Sequence, residues 1–202
     1  MGKILKQRQV FADQLVREAV FAAVLQVFDQ YGLDKLTVHR VAETANLATG
    51  TLYNYFKDKD DLMVYTATRL FEQIRQRQQQ AIAAAKSPLQ KLRAFLEVSL
   101  MYFTQNRGYF QFLDRAEVYC KMDKSIKRKH VNEENQLLAA VLQEGIDHGV
   151  FKPVHPKKTA AFFQRAIIGT LFLVPALGEF NPKQEASSLL KMFQVYLSPS
   201  ER

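Results

Sequence analysis

The stretch TANLATGTLYNYFKDKDDL, residues 44–62, combines one Gly, three aromatic residues, an Asn and a run of alternating charges in nineteen positions. Leu52 and Phe56 lie four residues apart, so on a helix their side chains share one face and can pack inward. The opposite face then carries hydroxyl and amide groups that need no charge. These outward residues are Thr49, Thr51, Tyr53, Asn54 and part of Tyr55.

The composition and the spacing of apolar residues both favour an all-α protein. The chain has 202 residues, of which 48% are hydrophobic and 24% charged, enough for a substantial core. The net charge of +8 fits either nucleic-acid binding or a soluble surface, because residues 1–60 carry eight Lys or Arg against seven Asp or Glu. Charge alone therefore does not assign a function.

No feature of the sequence predicts secretion or membrane insertion. The single cysteine, Cys120, excludes an internal disulfide and suits a reducing compartment. The longest apolar run, residues 166–177, has twelve positions and includes Pro175, whereas a membrane span needs about 20. We therefore expect a cytoplasmic protein and a buried helix at 166–177.

Helix start and stop signals predict nine helices. A basic tail precedes helix one, which Gly32 can end, and Thr37 can cap a short second helix that NLATG separates from a third across TLYNYF. Asp58 can cap a long fourth helix, and Ser87-Pro88 begins a fifth. The remaining helices are expected at about 109–120, about 125–148, from His155-Pro156 and from Asn181-Pro182.

The helix lengths divide the chain into two predicted domains. Three short helices occupy residues 1–58, which we call the headpiece. Residues 59–202 form a larger helical domain for effector binding and dimerisation, with helix four, about 59–85, as the connector. Two short helices joined by a tight turn and braced by a longer first helix form the smallest unit that places a helix in a DNA major groove.

The chemistry of the headpiece suits a DNA backbone and base edges. Gly50 allows the main chain to approach a phosphate closely, and Asn54 can recognise a base edge. Lys57 and Lys59 can neutralise backbone charge. His39 and Arg40, near the start of helix two, can reach the opposite wall of the groove.

The identities of the residues support a more specific interpretation than their spacing does. LTVHRVAETANLATGTLYNYFKDKDDL, residues 36–62, resembles the N-terminal motif of the tetracycline-repressor (TetR) family of bacterial regulators. EGIDHGVFKPVHPKKTAAFF, residues 144–163, is similar to the segment between helices seven and eight of that family. The sequence departs from the family at Ala48, where a capping Ser is common, and at His155, where an Asp is common.

The resemblance implies a homodimer that binds a palindromic operator, with a ligand pocket in the C-terminal domain. The DNA contacts that it implies are Thr37, Thr49, Gly50, Thr51, Tyr53, Asn54, Tyr55 and Lys59. Ala48 removes one hydroxyl contact. We expect a repressor that a small hydrophobic or aromatic effector releases from DNA.

Dense aromatic residues suggest the pocket, and helices eight and nine suggest the dimer interface. The predicted pocket residues are Phe95, Tyr102, Phe103, Phe110, Phe112, Glu117 and Phe172. The predicted interface residues are Phe163, Ala166, Ile167, Gly169, Thr170, Leu173, Leu190, Phe193 and Leu197.

Two other functions remain open from the residues alone: a DNA-binding regulator without a small effector, and a helical-bundle enzyme. The enzyme requires paired metal-ligand motifs, but the four His are scattered along the chain. His130 with Glu133 or Glu134 has helical spacing, yet no second set accompanies it. We therefore expect no catalytic residue, no metal site and no cofactor.

Overall fold

The computed structural model describes residues 2–106, 108, 110, 117–177 and 180–199. The described residues form nine α-helices and one short 3-10 turn, Leu33–Lys35, with no strand among them. The helices are α1 Gly2–Tyr31, α2 Val38–Thr44, α3 Thr49–Tyr53, α4 Lys59–Ala84, α5 Pro88–Gln105, α6 Val118–Lys121, α7 Lys124–Asp147, α8 Pro156–Leu177 and α9 Pro182–Leu197. No helix in the described part of the chain is long and apolar enough to cross a membrane. The all-α prediction is confirmed.

Most predicted helix boundaries hold because their capping groups form. Ser87 Oγ accepts from the Gln90 amide at 3.3 Å, and Asp58 Oδ1 accepts from the Asp61 amide at 2.9 Å. Gly32 and Gly149 follow α1 and α7 with φ of 73° and 68°, values that favour glycine. The termini of four helices could therefore be located from local chemistry alone.

Two predicted boundaries differ from the structure. The predicted basic tail is helical, because α1 begins at Gly2, and its first turns carry Lys3, Lys6 and Arg8. The third helix occupies Thr49–Tyr53 rather than TLYNYF. In the region of the predicted sixth helix, Phe110 and Val118–Lys121 are helical, and residues 109 and 111–116 lie outside the described residues.

The chain forms two compact units, Met1–Leu70 with Gly108–Met122, and Phe71–Arg107 with Asp123–Arg202. This division differs from the predicted one at residue 58. The reason is that α4 is continuous and its first half belongs to the first unit, where Leu62, Met63 and Leu70 are buried. An ion pair between Arg69 and Glu18 also joins α4 to α1.

The core of the first unit combines one side chain or more from each of its helices. α1 packs along α2, and α2 packs against α3. The largest buried side chains here are Leu36, Leu52, Phe56, Leu62, Met63 and Leu70. The two predicted inward residues of the third helix, Leu52 and Phe56, are both in this core.

The core of the second unit lies between α5, α7, α8 and α9. α5 packs along α9 and α7, and α7 packs along α8. Phe163 of α8 and Phe193 of α9 stack with centroids 3.6 Å apart and an interplanar angle of 1°. Phe151, in the connection after α7, lies directly against Gly145, where any side chain would collide with its ring.

Candidate nucleic-acid interface

The turn between α2 and α3 fixes the orientation of the recognition helix, the name used from here for α3. Thr37 caps α2, since its Oγ1 accepts from the Arg40 amide at 3.2 Å. Asn46 adopts the left-handed conformation with φ of 54°, which Asn tolerates better than most residues. The Leu47 amide then donates to the Ala42 carbonyl at 2.9 Å. These bonds close the turn without a glycine.

The recognition helix holds its apolar side inward and its polar side outward. Leu52 and Phe56 are buried, whereas Tyr53 is 54% exposed. Gly50 and Asn54 are exposed, and Thr49 and Thr51 are half-buried. The arrangement leaves hydroxyl, amide and bare backbone groups on one accessible face.

Ala48 and Gly50 shape the start of this face. Ala48 occupies the N-cap position and makes no side-chain capping bond. A Cβ placed on Gly50 would meet no atom within 4 Å. Packing inside the protein therefore does not require glycine at position 50, so its bare backbone is free for an outside partner.

Tyr55 is turned toward α1 rather than outward. Its hydroxyl donates to Asp13 Oδ1 at 3.0 Å, and this bond, followed by burial, raises the pKa of the Tyr55 phenol. The Arg17 guanidinium lies 5.7 Å from the Tyr55 ring centroid, 5.2 Å from that of Phe56 and 5.5 Å from that of Tyr65. Tyr55 thus braces the recognition helix against α1.

Sequence reasoning did not identify Asp13 and Arg17. They lie four residues apart on α1, a spacing that usually indicates only an exposed ion pair. The only hint of their role in the sequence was their position beside the apolar face of α1 that includes Val16 and Val20. In the structure this side of α1 faces the end of the recognition helix.

The other basic residues that were predicted to contact DNA differ in their solvent exposure. His39, Lys57 and Lys59 are exposed. Arg40 is half-buried, because its Nη1 donates to the Lys35 carbonyl at 3.0 Å and its guanidinium lies 4.7 Å from the Tyr31 ring centroid. Arg40 therefore helps to fix the start of α2.

Acidic side chains at the start of α4 form two amide hydrogen bonds and one ion pair. Asp61 accepts from the Lys57 amide at 3.0 Å while its own amide donates to Asp58. Asp60 pairs with Lys121 of α6 at 2.9 Å. Three acids, Asp58, Asp60 and Asp61, therefore lie in sequence beside the exposed Lys57 and Lys59.

The described residues of the predicted pocket are divided between the two units. Phe95, Tyr102 and Phe103 are buried in the second unit, and the Phe172 ring lies 5.8 Å from that of Phe103 with half its surface exposed. Phe110 and Glu117 belong to the first unit. Phe112 lies outside the described residues.

The predicted interface residues on α8 and α9 divide between two faces. Phe163, Ile167, Leu190, Phe193 and Leu197 are buried inside the protomer, so the prediction that they form a surface for a partner needs correction. Ala166, Gly169 and Thr170 are half-buried, and Leu173 is 66% exposed. The apolar residues that are exposed on the two helices are Phe162, Ile168, Phe172, Leu173, Met192, Val195 and Tyr196.

Comparisons with known proteins agree with this geometry. A sequence model of the bacterial regulatory proteins of the tetR family matches residues 20–66. The chain is 24% identical over 180 residues to the HTH-type transcriptional regulator YhgD of Bacillus subtilis, which covers 89% of this chain and 94% of YhgD. It is 27% identical over 130 residues to the HTH-type transcriptional repressor KstR of Mycolicibacterium smegmatis, over 64% of each chain.

A solved structure shows the same fold. The fatty acid degradation regulator FadR from Bacillus halodurans superposes with a TM-score of 0.72 at 15% identity, over 92% of this chain and 99% of that one. The helix-turn-helix, its exposed polar face and the helical C-terminal part define a DNA-binding transcriptional regulator. Residues 20–66 match the model of the tetR family of bacterial regulatory proteins, whose regulators bind operator DNA as dimers, and over most of its length the chain is similar to a transcriptional regulator.

Proposed function

We propose that the protein is a repressor that binds a palindromic operator as a homodimer and leaves it when a small molecule binds its C-terminal domain. The observation that carries this proposal is the exposed polar face of the recognition helix. One relative, KstR, is a transcriptional repressor, which supports repression rather than activation of transcription. We propose that it acts in the cytoplasm. Residues 1–58 form the DNA-binding domain in this proposal, and residues 59–202 form the effector-binding and dimerisation domain.

Each exposed group of the recognition helix has a distinct role in this proposal. Tyr53 and Asn54 reach a base edge or a phosphate, since both are exposed beyond the anchoring Leu52. Gly50 lets the backbone approach the sugar-phosphate chain. Thr37, Thr49 and Thr51 donate from hydroxyl groups, and His39 and Lys59 supply charge at the edge of the interface.

The dimer uses the exposed rather than the buried face of α8 and α9. Leu173 and Val195 are 66% and 80% exposed, and Phe162, Phe172 and Met192 are also exposed. An apolar patch of this kind on a soluble protein marks an interaction surface. A symmetric pairing of the patch with its own copy gives the two recognition helices that a palindrome requires.

We propose that α4 transmits effector binding. Its residues 59–70 belong to the first unit and residues 71–84 to the second, in one uninterrupted helix of 26 residues. At 1.5 Å per residue the helix is roughly 39 Å long, so a small tilt produces a displacement of several Å at its end. Linkage requires that operator DNA weakens effector binding by the same factor, commonly about 5 to 150-fold.

The operator interface is tested by the pair of variants Gly50→Ala and Gly149→Ala. At position 50 alanine meets no atom and favours the helix by about 0.5–1 kcal/mol, so the free energy of unfolding should not fall. We expect fluorescence anisotropy to show weaker binding to the duplex upstream of the protein's own gene.

Gly149→Ala is the control, since φ at this residue is 68° and the variant should lose stability while keeping its affinity for DNA. A wild-type protein that prefers this duplex no more than a scrambled one at moderate salt would contradict the proposed function. Unchanged affinity of Gly50→Ala would remove Gly50 from the interface.

A further inference from the structure

Four hydrogen-bonding side chains from four helices meet inside the second unit. Gln78 of α4 is 1% exposed and Ser99 of α5 is 3% exposed. Glu134 of α7 and Gln164 of α8 are joined to each other by a hydrogen bond of 3.2 Å. We call these four residues the polar layer. Such a cluster is unusual in a core that is otherwise lined by Phe and Leu.

The hydrogen bonds of Ser99 fix the orientation of Gln78. The Ser99 hydroxyl has one hydrogen, and it donates to the Phe95 carbonyl at 2.6 Å. Ser99 Oγ must therefore accept from its other neighbour, which is Gln78 Nε2 at 2.9 Å. The amide nitrogen of Gln78 faces Ser99, so its Oε1 faces elsewhere.

Glu134 is the ionisable member of the layer. Burial raises the pKa of its carboxyl group, and hydrogen bonds from Gln78 and Gln164 act in the opposite direction. The nearest arginine, Arg75, forms an ion pair with Glu133. The positive charge of that guanidinium also lowers the pKa of Glu134, whereas the neighbouring Glu133 carboxylate raises it.

The unpartnered atoms around the layer are mostly acceptors. Among the described residues, Gln78 Oε1, Gln164 Oε1 and Asn135 Oδ1 are buried and make no hydrogen bond within the protein. Both ring nitrogens of His130, which packs against Phe71, also have no protein partner. A buried polar atom without a partner lowers stability, and the three amide oxygens are acceptors, so a ligand that supplies donors would satisfy them.

We propose that the polar layer binds the amine head of the small molecule to which the regulator responds. This inference rests on the proposed function and narrows the effector to an alkyl or phenylalkyl amine. An ammonium group carries three donors and no acceptor, which complements two amide oxygens and a carboxylate. The apolar remainder of the effector would contact the surrounding rings, among them Phe71 and Phe95.

The charges that face Glu134 set the pH dependence of binding. Arg75 on α4 and Glu133 on α7 are the charges that act on Glu134, and Gln78 on α4 and Gln164 on α8 are its uncharged neighbours. An amine binds the ionised carboxylate, so protonation of Glu134 competes with it. Affinity for an amine should therefore increase with pH through the raised pKa of Glu134.

The test uses the full chain and matched probes. Alkyl and phenylalkyl amines of increasing length are compared with the alcohols and carboxylic acids of the same carbon skeletons by isothermal titration calorimetry. We expect amines to bind and the matched acids not to bind. Glu134→Gln should weaken amine binding at least about 30-fold, because it removes the charge partner of a buried cation.

Glu97→Gln is the matched control, since it removes the same charge from an exposed carboxylate on α5. Preference for acids or alcohols, no binding by any amine, or equal affinity in Glu134→Gln would each overturn the inference. Operator binding is measured separately by anisotropy. A protein that binds its operator but no amine refutes the effector class, whereas one that binds an amine but no operator refutes the repressor.

Discussion

The recognition helix and the polar layer use the same kind of side chain in opposite settings. Tyr53 and Asn54 project uncharged hydrogen-bonding groups into solvent, where water satisfies them until a partner replaces it. Gln78 and Gln164 hold similar groups inside the second unit, where each oxygen without a partner costs free energy. The outward groups favour a large partner that covers them, whereas the inward groups favour a small one that is enclosed.

The largest effect should come from a variant that abolishes operator binding but leaves the polar layer intact. One protomer contains a complete polar layer, but a palindrome requires two recognition helices. Leu173→Arg buries an unpaired charge at the proposed interface, at a cost of about 3–5 kcal/mol for each copy. We expect sedimentation velocity to show a monomer with little operator affinity and unchanged amine affinity.

Val131→Arg is the control for that variant, because Val131 is exposed on α7 rather than on the proposed interface. It should remain a dimer. If Leu173→Arg sediments as a tight dimer, the interface lies elsewhere.

A second variant acts on the recognition helix alone. Tyr53→Ala removes an exposed side chain, so the fold should persist while operator binding is lost. Each lost contact costs about 1–3 kcal/mol, and a dimer loses two. Tyr119→Ala, at 52% exposure against 54% for Tyr53, is the matched control in an anisotropy titration. Equal losses in both variants would show that the effect is not specific to the recognition helix.

A third variant tests the polar layer through the pH dependence of the free energy of unfolding. The folded state binds Glu134's proton more tightly than the unfolded state, so wild-type stability should decline as pH rises from about 4.5 toward the raised pKa. Glu134→Gln should lose this decline, which amounts to about 1.4 kcal/mol for each unit by which the pKa is raised. Urea unfolding at several pH values measures it.

The buried His130 contributes in the opposite direction, because its lowered pKa makes stability increase as pH rises toward 6.5. Both proteins keep this contribution, so their difference isolates Glu134. Parallel pH profiles for the two proteins would show that Glu134 is not perturbed.

The smallest effect should come from the brace between the recognition helix and α1. Tyr55→Phe removes one hydrogen bond to Asp13, which still accepts from Gln9 at 2.9 Å. We expect a loss of about 0.5–1.5 kcal/mol in the free energy of unfolding, measured in urea. Operator affinity at low temperature should be retained. A loss of affinity without a loss of stability would instead make Tyr55 a DNA contact.

Local chemistry explains why the sequence predicted the headpiece well. Thr37, Asp58 and, beyond the headpiece, Ser87 each accept from a backbone amide three residues away, so their effects are visible in the order of residues. The inward Leu52 and Phe56 follow from helical spacing alone. Spacing also shows that α8 is apolar on more than one side.

Residues that act over long sequence distances were not predictable in this way. Asp13 meets Tyr55 across 42 residues, and Gln78 meets Ser99 across 21. Their partners are set by the packing of helices rather than by neighbours in the chain. The same limit explains the interface correction, because only packing shows that α9 covers Phe163 while Phe162 stays exposed.

The recognition helix has only five residues and no side-chain cap, which has a consequence for temperature. So short a helix does not form alone, and it depends on Leu52, Phe56 and the Arg17 contacts to hold its shape. Segments with few buried contacts open locally before a domain unfolds. We expect the amides of residues 49–53 to exchange hydrogen sooner than those of α5. Operator affinity should then fall on warming while the second unit is still folded, so heat alone would release the regulator from DNA.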